Sequence, residues 1–176
     1  MFERYSEHAK RVIFFARNEA VQLGSREIEP EHLLLGLLLD SRSRANLLFG
    51  LRKYGQDFRL KIERKQPRPV QHPRNADMLL SDSSKWVLAY TAEEADQAVS
   101  KSIDTEHIVL GLLREGKSFA ATLLSEIGVD PASARKLIKS RATTTSELKA
   151  IAPVVGIGLV LLLFIIYSIA KLLLGK

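Results

Sequence analysis

The chain has no cysteine. That absence excludes a disulfide framework, a thiolate metal site and a cysteine nucleophile, and it fits a reducing compartment. Period-two alternation of polar and apolar residues is also missing, so no β-sheet is expected. The N-terminus, Met1-Phe2-Glu3-Arg4-Tyr5-Ser6-Glu7, is charged and has no apolar core, so no secretory leader is expected. An aromatic-rich basic stripe is absent as well. The formal charge of +6 is modest, and two of the lysines follow residue 150 with no acid beside them. The remaining charges are interspersed, so nucleic acid is not an expected partner. At 46% hydrophobic and 26% charged residues, the composition is that of a folded protein.

What the chain does contain comes twice. Ile28-Glu29-Pro30-Glu31-His32-Leu33-Leu34-Leu35-Gly36-Leu37-Leu38 returns as Ile103-Asp104-Thr105-Glu106-His107-Ile108-Val109-Leu110-Gly111-Leu112-Leu113. The offset is about 75 residues, the signature of a duplicated folding unit. It holds upstream, pairing Ser6 with Ser81, Val12 with Val87 and Glu19 with Glu94. Downstream it weakens, and Gly55 best matches Gly128 after a small shift. Each copy reads as a helix start. Pro30 suits the first helical position, Glu29 and Asp104 suit the N-cap, and Glu31 and Glu106 fall in the first turn, where the helix dipole favours a carboxylate. The aliphatic runs that follow are apolar nearly all round and are expected at the centre of the core.

Periodicity and punctuation predict helices over about 6–24, 30–40, 45–54 and 56–65, then 81–98, 104–115, 118–127 and 131–140. The expected fold is therefore all-α: a pseudo-twofold, duplicated four-helix repeat of about eight helices, followed by one C-terminal transmembrane helix. The domain spans 1–142, with repeat one at 2–65, a linker at 66–78 and repeat two at 79–142. Pro67, Pro69 and Pro73 forbid a helix in the linker, which reads either as a solvated connector or as a basic contact to headgroups or an acidic partner. Residues 143–149 form a polar tether. Ala150 to Ala170 carries no charge, and a run of about 21 residues spans a bilayer core of about 30 Å, giving an anchor over 150–174. Ala152 and Gly156 make a weak small-xxx-small match inside it. Arg135, Lys136, Lys139, Arg141 and Lys149 crowd the near flank, so the folded domain is expected to face the cytoplasm.

The doubled Glu-His-aliphatic-Gly-Leu motif, each copy preceded by an Ala-rich helix, resembles the Clp N-terminal repeat domain of Clp-type AAA+ unfoldases. The resemblance covers about residues 2–142. It implies a non-catalytic module that docks substrates, adaptors or a Clp-type unfoldase, and in some members captures phosphorylated arginine through acidic residues of the repeated motif. Carried over by motif, the partner-binding candidates are Glu31 and Glu106, with Thr105 beside the second. Pro30 stands where Thr105 stands in the other copy, a departure between the two sites. A membrane helix, rather than an ATPase module, is expected to follow the domain.

Other motifs offer competing readings. Gly111-Leu112-Leu113-Arg114-Glu115-Gly116-Lys117-Ser118 matches the P-loop pattern letter for letter, but its first glycine falls inside an expected helix rather than in a strand-to-helix loop. His32 and His107 lack the spacing that sets two metal ligands on one helix face and read as histidines packed at helix starts. No catalytic residue, metal or cofactor is therefore expected. For Glu31 and Glu106 two readings stand, stabilisation of the helix dipole and ligand binding. At the level of the whole chain, a membrane-tethered recruiter stands beside a structural assembly factor that reuses the same fold.

Overall fold

The computed structural model describes residues 3–65 and 77–141. The helices are α1 (Glu7–Gln22), α2 (Pro30–Leu39), α3 (Arg44–Phe49), α4 (Gly55–Lys65), α5 (Asp82–Gln97), α6 (Thr105–Glu115) and α7 (Phe119–Glu126), with a 3-10 turn at Leu51–Tyr54. Residues 131–141 are also helical. The described residues contain no strand, so the all-α expectation holds for them. The chain divides into two units, Met1–Leu137 and Ile138–Lys176. Of the second, only residues 138–141 are described. None of the described helices is long and apolar enough to cross a membrane. The expected anchor at 150–174, the tether and linker residues 66–76 lie outside the described residues.

The duplication is built into the caps. Ser6, Ser43, Ser81 and Ser118 each accept, through the side-chain oxygen, from the backbone N–H three residues on, at 3.1, 3.3, 3.2 and 3.2 Å. A serine there satisfies one of the four orphan donors that open any helix. Pro30 takes the first position of α2, as its missing N–H predicts.

Two reciprocal backbone pairings stitch the repeats together. Tyr5, just before α1, forms a single parallel bridge with Ile103, just before α6; Leu80, just before α5, does the same with Ile28, just before α2. Each is made by two hydrogen bonds: Ser6 N to Ile103 O and Ile103 N to Arg4 O, both 2.8 Å, and Ser81 N to Ile28 O and Ile28 N to Leu79 O, at 3.1 and 2.8 Å. The lead-in of each repeat thus pairs with the inner helix start of the other. This gives the pseudo-twofold its physical form and places the first turns of α2 and α6 near the junction.

α2 and α6 are the core. Leu33, Leu34 and Leu37 of the first and Ile108, Val109 and Leu112 of the second are fully buried, each worth about 1.5–3 kcal/mol as burial goes. α1 lies on α2 and α5 on α6, closely enough that a glycine is needed at each crossing. A Cβ on Gly36 would meet the Val12 carbonyl oxygen, and one on Gly111 would meet the Val87 carbonyl and the Thr91 hydroxyl.

One helix differs from expectation. The third, expected unbroken over 45–54, ends at Phe49, because Gly50 turns left-handed (φ 60°) and the chain resumes as the 3-10 turn. Gly128, also left-handed (φ 80°), comes one residue after the Ile127 cap of α7. Gly50, rather than Gly55, thus shares the left-handed conformation of Gly128. Gly55 instead opens α4 in right-handed conformation.

Candidate functional site

The repeated Glu-His pairs sit where each inner helix begins. The histidines have a local task. His32 Nδ1 accepts from the Glu29 N–H at 2.8 Å, and His107 Nδ1 accepts from the Asp104 N–H at 3.0 Å. Each imidazole thereby takes the place that a glutamate holds in a capping box. With Nδ1 accepting, the neutral ring carries its proton on Nε2, which in His32 lies 3.1 Å from the Ser25 hydroxyl oxygen. Burial disfavours the imidazolium in both rings, and His32 is pushed down to about 4. They are capping groups, as packing at helix starts implies.

The glutamates face the opposite repeat. Glu31 is half-buried, and its Oε1 accepts from the Phe119 N–H, at the first residue of α7, at 2.9 Å. In the other half the corresponding task falls one residue earlier. Thr105 Oγ1 accepts from the Ala45 N–H, at the second residue of α3, at 3.0 Å. The reason is the Pro30/Thr105 difference. Proline has no hydroxyl to offer, so repeat one caps its neighbour with the next side chain, Glu31. Repeat two has the threonine, which leaves Glu106 free of that duty.

Glu106 turns instead to Arg44, whose Nε lies 2.9 Å from its Oε1. The carboxylate is 1% exposed and the guanidinium side chain 48%. Its Oε2 is buried without a hydrogen-bond partner among the described residues. Burial, reinforced by the nearby Asp104 carboxylate and only partly offset by Arg44, pushes the Glu106 carboxyl up to about 7. A buried carboxyl so displaced, with one oxygen idle, has the physical marks of a functional group. The described residues hold no cation within ion-pair distance of Glu31. Thr105 is fully buried with its hydroxyl committed to Ala45, so it supports the site from behind.

The P-loop letters form no phosphate cradle. Gly111 lies inside α6 against α5, and Gly116 is the left-handed residue that ends the helix. An open groove of about 500 Å³ runs elsewhere, over Tyr5, Leu80, Leu88 and Ile103 with Arg4 and Lys85 at its edge. Neither glutamate lines it.

This doubled architecture has known counterparts. A profile of the Clp repeat N-terminal domain matches residues 4–75 and again 79–158. The chain belongs to the Clp repeat N-terminal domain family. This Clp repeat chain is 33% identical over 151 residues to the chloroplastic ClpA-homologue ATP-binding subunit of the ATP-dependent Clp protease of Brassica napus, covering 85% of the chain and 17% of that protein. It is also 33% identical over 144 residues to the chaperone protein ClpB of Oceanobacillus iheyensis, covering 78% and 17%. The N-terminal domain of ClpD from Arabidopsis thaliana matches at TM-score 0.64 and 25% identity, over 81% of this chain and 97% of that one. The N-terminal domain of the Escherichia coli ClpV1 ATPase shares the fold at TM-score 0.60 and 21% identity, over 77% and 84%. The chain spans about a sixth of the length of the curated relatives it matches.

Two further pairs carry a signal in the sequence. Glu19 and Glu94 align in the repeat, and each is a buried carboxylate held by an arginine, Arg59 at 2.9 Å and Arg135 at 2.6 and 2.8 Å. Both arginines lie on the last helix of their repeat, a position the alignment of motifs does not reach.

Proposed function

We propose that this chain is a membrane-tethered recognition module. Its Clp repeat domain faces the cytoplasm and holds a substrate, an adaptor or a Clp-type unfoldase at the membrane, and residues 150–174 form the anchor. The observation that carries the recognition reading is the pair of repeat-related first-turn carboxylates, Glu31 and Glu106, at the junction of the two halves. A carboxylate there can accept charge-assisted hydrogen bonds from a guanidinium, about twice as strong as neutral ones. Arginine-bearing proteins, phosphoarginine-bearing ones among them, are the ligand class that fits. The relatives matched over this region are named as chaperones and as an ATP-binding subunit of a protease, which supports a place beside an unfoldase.

Capture from detergent-solubilised membranes, with and without a purified Clp-type unfoldase, tests the recruiting role. Glu31→Ala combined with Glu106→Ala should abolish capture of an arginine-bearing partner, while the thermal melt falls by only about 1–2 kcal/mol in equivalent stability. A double variant that captures every partner like the wild type removes the glutamates from the interface. Alkaline carbonate should leave the chain in the membrane pellet. Protease added outside intact cells should leave the domain uncut, and its digestion there would reverse the orientation.

A further inference from the structure

The two carboxylates occupy equivalent places in the repeats, yet, beyond the Pro30/Thr105 difference, their surroundings differ in the residue that opens the facing helix. The residue that follows the Ser43 cap is Arg44, and the residue that follows the Ser118 cap is Phe119. Phe119 gives Glu31 a backbone N–H, and its ring is covered by the Lys65 ammonium at 4.0 Å from the centroid. Arg44 gives Glu106 a guanidinium. We propose that Arg44 is the resident occupant of the Glu106 carboxylate, so that of the two repeat-related acid sites the one at Glu31 takes a partner's guanidinium and the one at Glu106 is closed by the chain's own. The inference rests on the reading of these glutamates as partner-binding groups.

The geometry separates this contact from the Arg135–Glu94 ion pair. Arg135 grips Glu94 with two nitrogens on two oxygens. Arg44 comes nearest to Glu106 with Nε on Oε1, and the second oxygen is buried without a hydrogen-bond partner among the described residues, which is a costly arrangement for a purely structural pair. Arg44 is also half-exposed, so it can swing into water without opening the core. The carboxylate beneath it then offers both oxygens. Arg44 therefore sets specificity. It rejects a single guanidinium at this site, because a ligand must first displace a tethered competitor of the same chemistry, present at high effective concentration.

The test titrates a synthetic peptide bearing one phosphoarginine into the full chain in detergent micelles, by calorimetry. The wild type should take one equivalent, lost in Glu31→Gln. Arg44→Phe, which copies the counterpart residue, should gain a second equivalent at least tenfold tighter than any second binding in the wild type. Adding Glu106→Gln should remove it. Arg44→Gln serves as the second variant should the phenylalanine disturb the fold. A ligand-free readout runs beside it: the Glu106 carboxyl, followed by NMR, should titrate at higher pH in Arg44→Gln than in the wild type. Two equal sites in the wild type, or Arg44 variants that gain no Glu106-dependent site, overturn the closure. If no protein takes the peptide, the wild type included, the partner-binding reading of the glutamates fails. The closure is then decided by NMR alone, and a Glu106 titration unmoved by Arg44→Gln overturns it.

Discussion

Arg135 holds the buried carboxylate of Glu94 by both oxygens, at 2.6 and 2.8 Å. The pairing keeps the Glu94 carboxyl below its usual range, chiefly through those hydrogen bonds. In repeat one Arg59 Nη1 lies 2.9 Å from Oε2 of the buried Glu19. Each bond ties the last helix of a repeat to its first, so the two ends of the unit close on one another. Arg135→Ala should cost about 2–3 kcal/mol of unfolding free energy, between the roughly 1 of an exposed pair and the 3–5 of a fully buried one. Arg114, 3.6 Å from the same carboxylate, keeps the loss from the upper end. Urea unfolding at neutral pH measures it, and a loss under 1 kcal/mol would reduce the pair to surface decoration.

Val99 is the position where the second repeat breaks the first repeat's rule. Gly24 follows α1 in left-handed conformation (φ 66°), and its counterpart Val99 follows α5 with φ 52°. In both places the next N–H reaches back to the helix, Ser25 to the Ala20 carbonyl and Ser100 to the Ala95 carbonyl, each at 2.9 Å. A β-branched residue is strained in this cap. Val99 is 88% exposed, so its side chain packs on little that would be lost. Val99→Gly should stabilise the domain by about 1 kcal/mol. A lower melting temperature would show that Val99 makes a contact worth more than the strain.

Much of this was legible in the sequence because it is local. The serine caps, Pro30 and the apolar runs of α2 and α6 announce themselves within a few residues, and the offset of the motifs gives the pseudo-twofold. The third helix misled because its apolar pattern runs through Gly50, whose left-handed turn no periodicity records. The site was half-legible. Glu31 and Glu106 stand out in the motif, but what they touch lies in the other repeat: Phe119 is 88 residues from Glu31, and Ala45 is 60 from Thr105. Arg44 falls between the expected helices over 30–40 and 45–54, and no local pattern ties it to Glu106.

Gly111 shows how a motif can match by accident. Its small size is demanded by α5, where the Thr91 backbone nitrogen would lie 3.1 Å from an added Cβ and the Val87 carbonyl closer still. Gly111→Ala should therefore push α5 off α6 and cost about 1–3 kcal/mol, as overpacking does. Gly36→Ala should do the same at α1. Lys117 is exposed just past the helix end, with its backbone N–H on the Glu115 carboxylate at 3.1 Å. Lys117→Ala should leave both stability and ATP affinity unchanged. Saturable ATP binding that this substitution abolishes would restore the P-loop reading.

Acid response should come from two opposed groups at the helix starts. Glu106 is pushed up from 4.5 to about 7, so the folded state binds its proton more tightly than the unfolded chain does. Its protonation stabilises the fold fully below pH 4.5, and that stability is lost as pH rises through 7. His32 is pushed down from 6.5 to about 4, so its contribution is present above pH 6.5 and is lost as pH falls towards 4. Between these limits the two effects oppose each other, and the wild type should show a shallow pH dependence. Glu106→Gln removes one side of the balance. At pH 8, where the wild type carries a buried charge, the variant should be no less stable than the wild type. By pH 5 the wild type should have gained about 2 kcal/mol on it, from the proton that Glu106 binds only when folded. Urea midpoints of the two proteins at both pH values measure the difference, and a gap that does not change with pH would show that Glu106 ionises in the fold as it does in water.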